Sequence, residues 1–124
     1  MLWRAVEKCK SHESGGRVSI YCIALDKRGR VVAEAGNSYI RTHPSMRKAG
    51  MMVGVRHKEF LHAEAATLIK CRGAEIATLV IARVDKEGKE GLAKPCVVCQ
   101  TLIKLYEEQQ GNRIDIVYTK GEYK

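Results

Sequence analysis

The 124-residue chain has few aromatic residues, few prolines and no long apolar run. No stretch approaches the roughly 20 consecutive apolar residues that a transmembrane helix needs, so we expect no membrane association. Aromatic residues make up 6% of the chain, with Trp3 as the one Trp and Phe60 as the one Phe. This content argues against a protein that binds single-stranded nucleic acid strongly, because such proteins stack bases on aromatic side chains.

Acidic residues and secretion signals are scarce as well. The chain has 14 Asp and Glu residues and 22 Lys and Arg residues, which gives a net charge of +8. The amino-terminal residues contain no apolar signal-peptide core, so we expect a cytoplasmic protein. The five cysteines are an odd number, and a reducing compartment suits free thiols better than a disulfide framework. A chain of this length can bury one hydrophobic core, so we expect residues 1–124 to form a single domain.

Two short motifs carry most of the chemical information. His-Ala-Glu occupies residues 62–64, and Pro-Cys-Val-Val-Cys occupies residues 95–99. One imidazole and two thiolates form a three-ligand zinc site with an open fourth position, the arrangement in which zinc activates water. The carboxylate of Glu64 lies two residues from the imidazole, where it can move protons. The predicted zinc ligands are His62, Cys96 and Cys99.

Other interpretations of these motifs remain open. A Cys-x-x-Cys pair can also be a redox couple or half of a structural zinc site, and a His-x-Glu triplet can arise by chance. A closed structural site would need a fourth protein ligand. The candidates for that ligand are His12, His43 and His57, which we interpret as solvated because each lies in a polar stretch. The remaining cysteines, which we interpret as buried apolar residues, are Cys9, Cys22 and Cys71.

Together the two motifs resemble the signature of the zinc-dependent cytidine/deoxycytidylate deaminase superfamily, His-x-Glu followed by Pro-Cys-x-x-Cys. The resemblance implies one zinc ion per chain, a homo-oligomer, and hydrolytic removal of the exocyclic amine from a free pyrimidine nucleotide or nucleoside. It implies that Glu64 serves first as base and then as acid. It also implies that Asn37 binds the substrate sugar and that the Ala63 amide binds the carbonyl oxygen of the base.

Two other functions stay in view. The first is a nucleic-acid editing deaminase that acts on tRNA or single-stranded DNA, and the second is a non-catalytic nucleic-acid-binding protein that zinc stabilises. An intact Glu64 argues against the second, because a purely structural zinc site does not need that carboxylate. For Asn37, the alternative is an ordinary turn at the end of a strand, since Gly36-Asn37-Ser38 has turn composition.

The hydrophobic pattern predicts the order helix, strand, strand, helix, strand, helix, strand. This order indicates a three-layer α/β/α fold, which in the resembling family is the cytidine deaminase-like fold, with a mixed sheet of four or five strands. Between Gly36 and Leu61 we predict a long irregular loop. The predicted helices and strands cover residues 2–11, 18–25, 30–35, 62–73, 77–84, 95–111 and 113–119.

Both motifs are predicted at helix amino termini. Pro95 suits a first helical turn because its missing amide hydrogen would have no intrahelical partner there. The free amides and the dipole at such an end also favour thiolates. The predicted loop is rich in basic residues, which either attract an anionic substrate or form a solvated surface. These residues are Arg41, Arg47, Lys48, Arg56 and Lys58.

Overall fold

A computed structural model describes residues 1–11, 18–38, 44–52 and 62–120. These ranges contain four helices and four strands. In chain order the elements are α1 (Leu2–Ser11), β1 (Ser19–Leu25), β2 (Val31–Gly36), α2 (Pro44–Met52), α3 (Ala63–Cys71), β3 (Thr78–Val84), α4 (Val97–Gln110) and β4 (Asp115–Tyr118). None of the helices within these ranges has both the length and the apolar character needed to cross a membrane.

The four strands form one mixed sheet in the order β2-β1-β3-β4. β1 pairs antiparallel with both of its neighbours, and β4 pairs parallel with β3. Beyond β4, Lys120 makes an isolated antiparallel bridge to Leu92. Within the described residues the sheet therefore has four strands, the lower of the two numbers predicted.

Helices cover both faces of the sheet, because successive side chains of its central strands point to opposite sides. On β1, Ile23 and Leu25 pack in one apolar cluster with Val6 of α1. Cys22 and Ala24 pack on the other side, in a cluster that includes residues of α3 and α4. The predicted three-layer α/β/α fold is thus confirmed for the described part of the chain.

The prediction of an irregular segment from Gly36 to Leu61 is wrong for residues 44–52, which form α2. Pro44 is the first residue of α2, a position for which its fixed φ is well suited. The buried Ala49 packs with Ala65 of α3 and Val98 of α4. Such a tertiary contact leaves little trace in local periodicity, which explains the error. Residues 39–43 and 53–61 lie outside the described ranges.

The other predicted boundaries agree with the structure to within a few residues, the usual uncertainty at helix and strand ends. The last strand, for example, is predicted over residues 113–119 and observed over Asp115–Tyr118. Just after α3, Gly73 is left-handed, at φ 82°. Arg72 is also left-handed, at φ 51°, and caps the helix.

Candidate metal centre

The amino termini of α3 and α4 bring the three predicted ligand atoms together. Nδ1 of His62 lies 3.5 Å from Sγ of Cys96 and 3.3 Å from Sγ of Cys99. All three ligand atoms lie within 4.8 Å of one another. A zinc ion with ordinary Zn–N and Zn–S bond lengths and tetrahedral angles would hold nitrogen and sulfur about 3.5 Å apart. The donor set therefore fits one tetrahedral zinc ion.

Two of these residues are the N-caps of their helices. His62 (φ −75°, ψ 155°) and Cys96 (φ −70°, ψ 169°) are extended, and neither side chain makes a capping hydrogen bond. The usual N-cap residues turn their side chains back onto the first helical amides. Here the imidazole and the thiol face each other instead, so the helix starts place two ligand side chains without using them as caps.

The first helical residue is consequently one position later than predicted for α3 and two positions later for α4. α3 begins at Ala63 rather than at His62, and α4 begins at Val97, so Pro95 lies outside the helix instead of in its first turn. The physical reason is that the ligand residue at each start keeps an extended backbone, which aims its side chain across the helix end. Cys99 lies within α4, where it is fully buried.

Glu64 is buried beside this centre. It is the second helical residue of α3 and is 5% exposed. Burial raises the pKa of its carboxyl group, while the backbone amide of Glu64 and the nearby His62 act in the opposite direction. Among the buried polar side-chain atoms of the described residues, its Oε1 is without a hydrogen-bond partner. A buried oxygen left unpaired costs free energy, so this carboxylate is suited to receive a hydrogen bond from a bound molecule.

The pKa values of the two thiols are coupled through a hydrogen bond. A hydrogen bond with Cys99 lowers the pKa of Cys96 to about 3, and His62 acts in the same direction. The same hydrogen bond raises the pKa of Cys99, and burial raises it further. The pair therefore titrates as a unit. Binding a metal through both sulfurs requires both thiols to lose their protons.

Asn37 lies at the end of β2, where its side chain extends the pairing with β1. Its Oδ1 accepts a hydrogen bond from the Ile20 amide at 3.0 Å, and its Nδ2 donates to the Val18 carbonyl at 3.3 Å. The residue is 8% exposed. These bonds describe the strand-ending role that the sequence left open as an alternative, and the substrate role of Asn37 stays a prediction.

Ala63 is the first residue of α3 and is fully buried. Its carbonyl accepts a hydrogen bond from the Thr67 hydroxyl at 2.8 Å. The amides of the first helical turn have no intrahelical partner, which leaves the Ala63 amide suited to an external acceptor. Its predicted role in binding the base carbonyl also stays a prediction.

Two residues that were not predicted from the sequence hold the chain near Cys96. Nε2 of Gln100 donates to the Pro95 carbonyl at 2.7 Å. Thr119 is 2% exposed and accepts at its backbone carbonyl from the Ala93 amide at 2.8 Å. Gln100 directly follows the second Cys of the motif, which is the only sequence signal that points to it. Thr119 has no such signal, because its contact joins distant parts of the chain.

Elsewhere, a mainly apolar groove runs between α2, α3 and α4 and does not include the metal centre. Its lining includes Ala49, Leu68 and Leu102, with Lys48 and Arg72 as its cationic residues. None of the described residues that line this groove belongs to the group of possible metal ligands. Of the basic residues predicted to meet an anion, only the side chain of Lys48 is described, and it is exposed.

No protein-family profile and no curated protein sequence matches the chain. Among solved structures, it is similar to a crystal structure of a glutamate-to-aspartate mutant of the cytidine deaminase from Mycobacterium tuberculosis. The identity is 21% and the TM-score 0.51, and the alignment covers 98% of this chain and 84% of the other. At this identity the likeness shows the fold alone, and the chain has the α/β fold of that cytidine deaminase.

Proposed function

We propose that this protein is a zinc-dependent hydrolase that removes the exocyclic amine of a free pyrimidine nucleotide or nucleoside, of the cytidine or deoxycytidylate type, and releases ammonia. The observation that carries the proposal is the buried, unpaired Oε1 of Glu64 beside three donor atoms that fit a zinc ion. A structural zinc site gains nothing from a buried carboxylate in this position, whereas a hydrolytic site needs one.

An open coordination position separates a catalytic from a structural zinc site. Within the described part of the chain, the donor group has three members and no fourth His, Cys, Asp or Glu joins it. His12, His43 and His57 lie outside the described residues. When bound at such a centre, zinc lowers the pKa of a coordinated water toward neutrality and so supplies a nucleophile.

Glu64 has the properties of the proton carrier in this reaction. Water adds to the ring carbon that bears the amine, and the amine leaves as ammonia after the ring nitrogen and the leaving group have each received a proton. Burial raises the pKa of Glu64. A carboxyl group with a raised pKa both accepts and returns a proton more readily near neutral pH, so one residue can serve as base and then as acid.

The finer assignments rest on the family resemblance of the two motifs. We propose one zinc ion per chain, a single domain over residues 1–124 and a homo-oligomer. We also propose that Asn37 and the Ala63 amide contact substrate. Two thiolate ligands suit a reducing compartment, which supports a cytoplasmic location.

The test combines metal analysis with a substrate panel. Purified protein should contain close to one zinc per chain. It should release ammonia from at least one of cytidine, deoxycytidine and their monophosphates, and not from adenosine or guanine. Zinc-free protein with full activity would contradict the mechanism. Ammonia release only from tRNA or single-stranded DNA would instead support the editing alternative, in which the base must be unpaired to be reached.

A further inference from the structure

Cys96 is the more exposed of the two cysteine ligands, and its position depends on the chain that leads to it. Cys99 is fully buried within α4, whereas Cys96 is half-buried and precedes the helix. The last backbone anchor before it is the Ala93 amide, which donates to the Thr119 carbonyl at 2.8 Å. Lys94 and Pro95 connect that anchor to the ligand, so their conformation decides where the Cys96 sulfur lies.

Gln100 holds the peptide groups on both sides of Cys96. Its backbone amide donates to the Cys96 carbonyl at 2.8 Å, which is the first hydrogen bond of α4. Its side-chain Nε2 donates to the Pro95 carbonyl at 2.7 Å. Proline has no amide hydrogen, so this carbonyl is the one backbone group through which Pro95 can be held by a hydrogen bond.

We propose that Gln100 is a positioning residue of the metal centre: its side-chain amide fixes the Pro95–Cys96 peptide and so keeps Sγ of Cys96 beside Nδ1 of His62. The inference rests on the proposed function for the identity of the metal. It goes beyond that function by assigning a role to a residue that touches neither metal nor substrate. Groups that orient metal ligands in this way change metal affinity by about 10-fold to 100-fold when they are removed.

Two variants of Gln100 test the role of the donor. Gln100→Met keeps the length of the side chain and removes its donor. Gln100→Asn keeps the amide but is one methylene shorter, so it cannot span the same distance, and it serves if the first variant folds poorly. The matched control is Gln109→Met, the same exchange at an exposed position of α4.

The first measurement is the dissociation constant of zinc, obtained by competition with a chromophoric chelator. We expect Gln100→Met and Gln100→Asn to bind zinc at least ~10-fold more weakly than the wild type, and Gln109→Met to stay within about 2-fold. In protein loaded with Co²⁺, the thiolate-to-metal absorption band should shift or weaken in the Gln100 variants alone. Wild-type zinc affinity and an unchanged cobalt spectrum in both Gln100 variants would overturn the inference.

The second measurement is urea unfolding of the metal-free proteins, which separates positioning from general stability. If Gln100 positions the metal ligands, replacing it should lower the association constant of zinc by a larger factor than it lowers the folding equilibrium constant of the metal-free protein. Equal factors would show a merely structural role and would overturn the inference.

Two results on the wild type separate this inference from the proposed function. Wild-type protein that binds zinc but deaminates nothing would contradict the proposed function and leave the role of Gln100 intact. Wild-type protein that binds no zinc would overturn both.

Discussion

The carboxyl group of Glu64 is buried, and one of its oxygens is unpaired. Each of these properties lowers the stability of the folded protein. Its side chain is 5% exposed, and Oε1 is without a hydrogen-bond partner among the described residues. Most buried polar atoms in folded proteins are paired, and those that are not tend to mark functional positions. The proposed deamination would use such a free acceptor, and the unpaired oxygen lowers folding stability below what a paired oxygen would give.

Glu64→Gln tests this role without removing a ligand. The amide cannot accept and return a proton, so turnover should fall by at least ~10²-fold while zinc content and the far-ultraviolet circular dichroism spectrum stay those of the wild type. Glu108→Gln, at an exposed position of α4, is the control and should retain full turnover. Full turnover in Glu64→Gln would show that another group carries the proton.

Cys99→Ala should abolish the stabilisation of the folded protein by zinc. Cys99 is fully buried, and its sulfur lies 3.3 Å from Nδ1 of His62, so its removal leaves two ligands. Zinc at ~1,000 times its dissociation constant should stabilise the wild type by about 4 kcal/mol, and Cys99→Ala should lose this gain. Urea unfolding with zinc and with a chelator measures the difference.

Cys71→Ala is the matched control for this experiment, because Cys71 is also a buried cysteine but lies outside the donor group. It should keep the stabilisation by zinc, even if the loss of a buried sulfur lowers stability overall. A Cys99→Ala protein that zinc still stabilises as strongly as Cys71→Ala would refute the ligand assignment.

At the scale of elements, two turns in the chain share one construction. Residues 26–30 read Asp-Lys-Arg-Gly-Arg and residues 85–89 read Asp-Lys-Glu-Gly-Lys. In each, Oδ1 of the Asp accepts hydrogen bonds from the amides two and four residues later, all at 2.9 Å. The fourth residue of each is a glycine at positive φ. The same carboxylate hydrogen bonds therefore define both turns.

Asp26 should make the stability of its turn depend on pH. The Arg30 amide is the largest cause that holds the pKa of Asp26 below its ordinary value. A carboxyl group with a lower pKa in the folded state stabilises the protein above its unfolded pKa of ~3.9, and this contribution is lost as the pH falls through the folded value. Asp26→Ala should therefore lower the urea midpoint slightly at pH 7, and the difference from the wild type should shrink on acidification.

Asp26→Asn separates the hydrogen bonds from the charge. The amide oxygen can still accept from Arg28 and Arg30, so this variant should be more stable than Asp26→Ala at pH 7. It should lack the pH-dependent contribution of the carboxylate, because it cannot titrate. A difference between the wild type and Asp26→Ala that stays constant from pH 7 to pH 2 would contradict the assigned role of the charge.

Considering the whole molecule, the net charge of +8 can attract anionic ligands from a distance. Some basic side chains are paired: Arg4 and Lys8 each lie 3.5 Å from the carboxylate of Glu34. The basic residues between Arg41 and Lys58 lie next to the first motif in sequence. We expect these basic residues to raise the local concentration of an anionic substrate.

Reversing two of these charges, in an Arg56→Glu/Lys58→Glu variant, tests that expectation. The KM for a nucleotide should rise several-fold and that for the matching nucleoside should change little, because only the nucleotide carries the phosphate. Salt should produce the same trend, since exposed charges are screened over ~10 Å at 0.1 M. Lys86→Glu/Lys104→Glu, which changes two exposed lysines elsewhere, is the control. Equal effects on nucleotide and nucleoside would mean that these charges do not meet the substrate phosphate.

The candidate metal ligands, Glu64 and most of the helices and strands could be predicted from the amino-acid sequence. These features are local: ligand chemistry depends on residue type, Cys96 and Cys99 are one helical turn apart, and apolar periodicity reports each element separately. The α/β/α layering followed from the order of those elements. The prediction that the two motifs share one site came from the ligand chemistry of zinc and from the family resemblance, since nothing local joins residue 62 to residue 96.

Features that depend on distant contacts could be seen only in the folded structure. It showed that α2 is a helix, because the burial of Ala49 against Ala65 and Val98 joins three separate segments. It placed the donor atoms of the two motifs within 4.8 Å of one another and left Oε1 of Glu64 unpaired. It also showed that Gln100 holds the Pro95 carbonyl. Distances, burial and hydrogen-bond partners arise when the elements pack, so no local pattern in the sequence contains them.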